Sequence, residues 1–251
     1  MSAAFPPPFT VLDTPCTLTT FAGLRDLLEA HRRGGAGPLA VDFTNVHIVT
    51  ARRLEPAFRA QTAAMDLFIP DSRVLLRAVR WLGGPAAECL FGPHLMDRFL
   101  RESPAGSTHA LLGGSAACVA ALQARYGAGA RIVAAHDGYF NAEREEAIAR
   151  ELAAAAPDYL WVGLGTPKQQ AWIARHKAKF GRTVLLAVGY AFDVNAGLKP
   201  DAPAWMHRAG LVWLYRLLSE PRRLAGRYLY YNSAFLWLLL RQRLAGSRGR
   251  G

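Results

Sequence analysis

The 251-residue chain is half hydrophobic and one-fifth charged, which suits one large core with an appendage and excludes a disordered or fibrous protein. Its formal net charge of +11 calls for an anionic partner: nucleic acid, an anionic membrane or a phosphorylated ligand. Three scattered cysteines, Cys16, Cys89 and Cys118, are too few and odd in number for a disulfide framework or a metal knuckle, so the cytosol is the expected compartment.

The amino end, MSAAFPPPF, has no basic run before an apolar stretch and does not read as a secretory signal. Segment 16–35 begins with threonines able to cap, runs at helical spacing and stops at a glycine pair, which predicts an amphipathic helix. Segment 38–49, PLAVDFTNVHIV, reads as a buried strand ending in polar residues, and 51–65 resumes a helical pattern. Segment 66–74 is a short strand delivering Asp71 at its carboxyl end. A strand, a glycine turn and a helix follow over 109–127. Segment 130–140 repeats the strand and turn, 141–158 is a long helix, 159–165 is a strand entering a helix over 166–181, and 183–193 is one more strand. The alternation predicts an open α/β sandwich: a mostly parallel, Rossmann-like sheet covered by helices on both faces. Ligands of such sheets bind beyond the carboxyl ends of the strands, which singles out Thr44-Asn45, Pro70-Asp71, Gly113-Gly114 and the stretch from Gly163 to Gln169.

Beyond Asp201, Pro203 and then Ser219-Glu220-Pro221 divide the chain into two helices that follow no strand. The predicted organisation is therefore a core over 1–201 and a helical appendage over 202–251. Most of the charge sits in the appendage, where nine arginines (208, 216, 222, 223, 227, 241, 243, 248 and 250) face one acid, Glu220. Eight aromatic residues lie among them, and the run 228–240 is strongly apolar. As a helix that run spans about 20 Å against a hydrocarbon core of about 30 Å, too short to cross a bilayer. Arginine with Trp, Tyr and Leu at helical spacing is the composition of a segment lying in the headgroup region of an anionic membrane. The alternative is a helix packed on the core with a solvated basic face. Nucleic acid is disfavoured as the partner, because the run from Phe235 to Leu240 holds apolar surface that a phosphate backbone would not reward.

Two motifs could carry chemistry. The sequence VGLGTPKQQ over 162–170 places glycines at a strand end and Thr166 at a helix amino terminus, a setting that favours an anion, with Lys168 as a mobile cation. It is neither a Walker loop nor a full dinucleotide fingerprint, and tight turning alone also explains its glycines. Asp71 at a strand end could be a general base, or a turn or cap residue beside Pro70. The seven histidines show no metal-type spacing, no Asp-x-Asp pair exists and Gly-x-Ser-x-Gly is absent. No metal ligand is assigned, and any diphosphate here would be neutralised by arginine and lysine.

Taken in order, FTNVH, LFIPDS, LLGG, HDGYF, VGLGTPKQQAWI, FDVNAG and LVWLYRLLSEPRRLAGRY resemble the WecB/TagA/CpsF glycosyltransferase family, glycosyltransferase family 26, over nearly the whole chain. The resemblance implies metal-independent, inverting transfer of a sugar from a UDP-sugar to a polyprenyl-diphosphate-linked sugar, in cell-surface polysaccharide synthesis, by a peripheral protein on the inner face of the plasma membrane. No cofactor is implied, the UDP-sugar being a substrate. On the matching positions it makes Asp71 the base and Asn45 and Gln169 pocket residues. It makes Arg216, Arg223 and Arg227 the cations that close over the donor diphosphate. Thr44, Gly113, Gly114, Tyr139, Gly163, Gly165, Lys168 and Asp193 complete the implied substrate-binding set. The chain departs from the family pattern at Ser72, Cys89, Asp201, Val212 and Phe43, which points to a divergent donor, such as a hexose in place of N-acetylmannosamine. Two other classes fit parts of the sequence: a catalytically silent scaffold of a polysaccharide-assembly complex, and a basic nucleic-acid-binding protein. The sequence leaves homo-oligomerisation open.

Overall fold

A computed structural model describes residues 7–248; Arg250 and the side chain of Arg248, counted above in the tail charge, lie outside the described residues, as do the first six residues of the amino-terminal stretch. The chain opens with a hairpin, β1 (Phe9–Val11) and β2 (Thr14–Cys16), turned by Leu12 and Asp13 at positive φ. Helix α1 (Phe21–Gly34) starts where the Thr20 side chain accepts the Gly23 N–H. Then come β3 (Leu39–Thr44), α2 (Val46–Leu54), α3 (Pro56–Gln61), a 3-10 turn, β4 (Leu67–Pro70), α4 (Arg73–Trp81) and α5 (Gly92–Arg101). The Rossmann-like half follows as β5 (Thr108–Gly113), α6 (Ala116–Tyr126), β6 (Arg131–His136), α7 (Ala142–Ala154), β7 (Tyr159–Gly163), α8 (Lys168–His176), β8 (Val184–Ala187) and α9 (Ala191–Asn195). The tail forms α10 (Ala204–Ala209), α11 (Val212–Ser219) and α12 (Pro221–Arg248).

The strands make one eight-stranded sheet, in the order β1-β2-β4-β3-β8-β7-β5-β6. Only the β1–β2 pair is antiparallel; the other pairings are parallel. Alternation along the central strands sends side chains to both faces. Val41, Phe43, Trp161 and Leu186 pack with α1, α5, α6 and α9 on one side. Ala40, Leu112, Val162 and Leu185 pack with α7 and α8 on the other. The predicted α/β sandwich is present. Among the described residues no helix is long and apolar enough to cross a membrane.

Several boundaries differ from the sequence reading. The strand of 38–49 stops at Thr44, because the Asn45 side chain accepts the Ile48 N–H and starts α2. Pro56 divides the helical stretch of 51–65. The strand of 183–193 stops at Ala187, Gly189 turns at φ +50°, and α9 begins. The tail has three helices instead of two, since Gly210 at φ +75° ends α10.

The tail lies on the core. Phe235, Leu238 and Leu239 of α12 are buried with Val11 and Leu12 of the hairpin, Val49 of α2 and Leu75 and Val79 of α4. Gln242 is bonded to the edge hairpin twice, accepting the Leu12 N–H and donating to the Thr10 carbonyl, both at 3.0 Å. The opposite side of α12 exposes Leu229, Tyr230, Leu236, Trp237 and Leu240. One face of the helix thus packs on the core, and the other is apolar without being covered.

Candidate active site

A cavity of about 960 Å³ lies over the carboxyl ends of β3, β4, β5, β7 and β8, with α11 and α12 as its roof. Asp71, Asn45, Gly114, Tyr139, Gly163, Gly165, Lys168, Gln169, Asp193, Arg216, Arg223 and Arg227 all line it. Residues more than 180 positions apart in the chain thus meet at one site, at the size of a small-ligand pocket. Two sequence-predicted residues are not in its wall. Thr44 is buried, and its hydroxyl donates to the Asp42 carboxylate at 2.7 Å. Gly113 sits opposite Gly163 in the β5–β7 register, where a Cβ would come within 2.4 Å of the Gly163 backbone. A glycine here lets the two strands approach closely.

Asp71 is placed by the backbone. Its N–H donates to the Thr44 carbonyl at 2.9 Å, while Ser72, not Asp71, caps α4 by accepting the Leu75 N–H. Its carboxylate is left free of hydrogen bonds from the described residues, facing the cavity. Burial pushes the carboxyl from its ordinary 3.8 up to about 7; the charge of Arg216 pulls it down and that of Asp42 pushes it further up. Asp42 is buried beneath, held by Thr44 and by the Gln170 amide at 2.7 Å. Cys89 borders Asp71 and donates its S–H to the Asp71 carbonyl at 3.4 Å. Burial and the Asp71 charge push that thiol up to about 12, so it stays protonated.

Opposite Asp71 stands a set of cations. Arg223 and Arg227 are four apart on α12 and share a face; Arg216 of α11 stacks on the Tyr190 ring at 4.1 Å. Among the described residues, the Nε atoms of Arg216 and Arg227 are buried without a hydrogen-bond partner, as is the Oε1 atom of Gln169. Burial, with the like charges of Arg216 and Arg223, pushes the Arg227 pKa down. Two buried guanidinium Nε donors that line one cavity and repel each other electrostatically are an arrangement that an anionic ligand would stabilise. The roof is anchored by charge: Lys199 bridges Asp193 and Glu220, each at 3.0 Å, and Glu220 pairs with Arg223. The Asp193 carboxylate is thereby engaged with Lys199.

Sequence reasoning missed His47, Tyr190 and Lys199. His47 sits in the wall with its ring edge-on to Tyr231 at 4.4 Å. Burial, then the charges of Arg227 and Arg216, push its pKa down to about 4, so it is neutral at pH 7. Its position just past the end of β3 was the available signal. Among the described residues, one group of metal-type side chains converges, His94 with Asp201 and His207. They lie 107 and 6 residues apart, so linear spacing could not reveal them.

A family model described as the glycosyl transferase WecG/TagA/CpsF family matches residues 9–249. The chain is also similar to proteins named N-acetylglucosaminyldiphosphoundecaprenol N-acetyl-beta-D-mannosaminyltransferase. These include the ones from Staphylococcus aureus strains MW2 and NCTC 8325 / PS 47, at 30% identity over 185 residues, or 72% of each chain. With a match running from the first strand into the last helix, the chain belongs to the WecG/TagA/CpsF family and is a glycosyltransferase.

Proposed function

We propose that the protein transfers a hexosyl or N-acetylhexosaminyl group from a UDP-sugar to a polyprenyl-diphosphate-linked sugar, with inversion, in the assembly of a cell-surface polysaccharide. The observation that carries this reading is the meeting, in one cavity, of a carboxyl raised to about 7 with three arginines from the tail. Asp71 accepts the proton of the acceptor hydroxyl as its oxygen bonds to the anomeric carbon from the face opposite the diphosphate. The bond from that carbon to the diphosphate oxygen breaks, and the departing nucleoside diphosphate carries the new negative charge. Arg216, Arg223 and Arg227 stabilise that charge, with no divalent ion bridging the phosphates. Gln169 and Asn45 contact the donor. The names of the relatives support an undecaprenyl-diphosphate acceptor. Cys89 and Val212, both in the cavity wall and both departures from the family pattern, support a donor other than N-acetylmannosamine. Residues 202–251 act as the membrane-docking appendage, and the exposed apolar face of α12 supports that role.

The test is a panel of UDP-sugars offered with a short-chain polyprenyl-diphosphate sugar. One donor is expected to turn over without added Mg²⁺ or Mn²⁺, and Asp71→Asn is expected to lower that turnover by about 10²–10⁴-fold. Full turnover by the variant would remove Asp71 from the chemistry, and dependence on Mg²⁺ would overturn the role given to the arginines.

A further inference from the structure

We propose that His94, Asp201 and His207 form a Zn²⁺ site that fastens the tail to the α/β core at the rim of the cavity. The three come from separate parts of the fold. His94 lies in the first turn of α5, Asp201 in the segment leaving the core, and His207 on α10. Their ligand atoms all lie within 4.8 Å of one another. Both histidines present the same ring nitrogen to a single carboxylate: His94 Nε2 lies 2.6 Å from Asp201 Oδ2, and His207 Nε2 lies 3.0 Å from Oδ1. Ligand atoms around a tetrahedral zinc, with bonds of about 2.0–2.2 Å, stand roughly 3.3 Å apart. The His94–Asp201 pair would open by about 0.7 Å and the His207–Asp201 pair by about 0.3 Å to admit the ion.

The surroundings hold the ligands in place. Phe91 meets both imidazoles edge-on, with ring centroids at 5.1 and 4.8 Å. The Ala202 N–H donates to Asp201 Oδ1 at 2.7 Å, which orients the carboxylate as outer-shell partners of metal ligands do. The His94 side chain is 58% exposed, giving an ion a way in. Two imidazoles and one carboxylate suit zinc and the neighbouring transition ions, whereas Mg²⁺ and Ca²⁺ prefer oxygen alone. His94 and His207 line the cavity, so the fourth position opens onto it.

The site is tested on full-length protein freed of metal with a chelator and then dialysed. Co²⁺ is expected to bind one per chain with a visible d–d absorption, and Zn²⁺ to displace it. Excess Zn²⁺ is expected to raise the unfolding midpoint by about 5 °C, with no shift from Mg²⁺. His94→Gln, a change at an exposed side chain, and Asp201→Asn should each abolish both signals. Absence of saturable Co²⁺ absorption would mean a hydrogen-bonded triad only. Absorption unchanged in both variants would place the ion elsewhere. Either result overturns the proposal.

Discussion

In the proposed reaction the ionisation of Asp71 governs turnover, and its burial ties the same ionisation to stability. A base with a pKa of about 7 is protonated below that value, so kcat/KM is expected to fall along an acid limb centred near pH 7. Arg216 lowers that pKa, hence Arg216→Gln should move the limb to higher pH as well as slow turnover; a limb that stays put would separate the two residues. The sign for stability is opposite. A carboxyl harder to ionise in the folded state binds more protons there between about pH 4 and 7, so stability declines as pH rises across that window. Asp71→Asn is expected to be more stable than the natural protein at pH 8, by about 2–4 kcal/mol, with the gain gone below about pH 4 in chemical denaturation. Asp71 was legible in the sequence because a strand end is a position that topology fixes. The roles of Thr44 and Gly113 were not, since a neighbouring residue can lie below the wall of a cavity instead of in it.

At the level of elements, α12 serves two surroundings at once. Its Leu239 is buried against the hairpin, α2 and α4, and its Trp237 is 56% exposed, with the Arg241 guanidinium over its ring at 4.7 Å. Leu239→Ala should cost about 2–4 kcal/mol through the cavity it leaves, while Trp237→Glu should change stability by less than about 0.5 kcal/mol, both read in urea unfolding. Of the two readings left open for the tail by its sequence, packing on the core describes one side of α12, while the other side is apolar and exposed. Helical periodicity shows that a face is apolar, but not which of two apolar faces finds a partner. The end of β3 was misread for a related reason: Val46-His47-Ile48-Val49 is as apolar as the strand before it. The boundary depends on one Asn45 hydrogen bond. The hairpin and α5 escaped notice, the hairpin because three-residue strands carry almost no periodic signal.

Across the whole molecule, the net charge of +11 is divided, on the proposed function, between the donor site and the membrane. Arg216, Arg223 and Arg227 line the cavity, while Arg222 and Arg241, exposed on the helix that carries Trp237, are available to an outer surface. Binding to vesicles rich in anionic lipid is therefore expected to weaken steeply between 50 and about 300 mM salt, and to be reduced further by Trp237→Glu. Equal binding to neutral vesicles in co-sedimentation would contradict the docking role. The sheet, its parallel order and the edge that holds the site followed from the alternation of strands and helices. Closure of the cavity by the tail did not follow from that alternation; it was implied only by the family resemblance, and the contacts that fasten it, such as Lys199 with Glu220, join side chains across the fold. One further consequence attaches to Gln242. The amino-terminal edge strand, at its Thr10 carbonyl, accepts a hydrogen bond from the Gln242 side chain, 232 positions later, which a ribosome reaches roughly 10–50 s after the strand itself. During that interval the nascent ladder has an unguarded border, open to pairing with strands of other chains. Messages that end early would be expected to yield a polypeptide prone to self-association, even with every other layer of the sheet already formed.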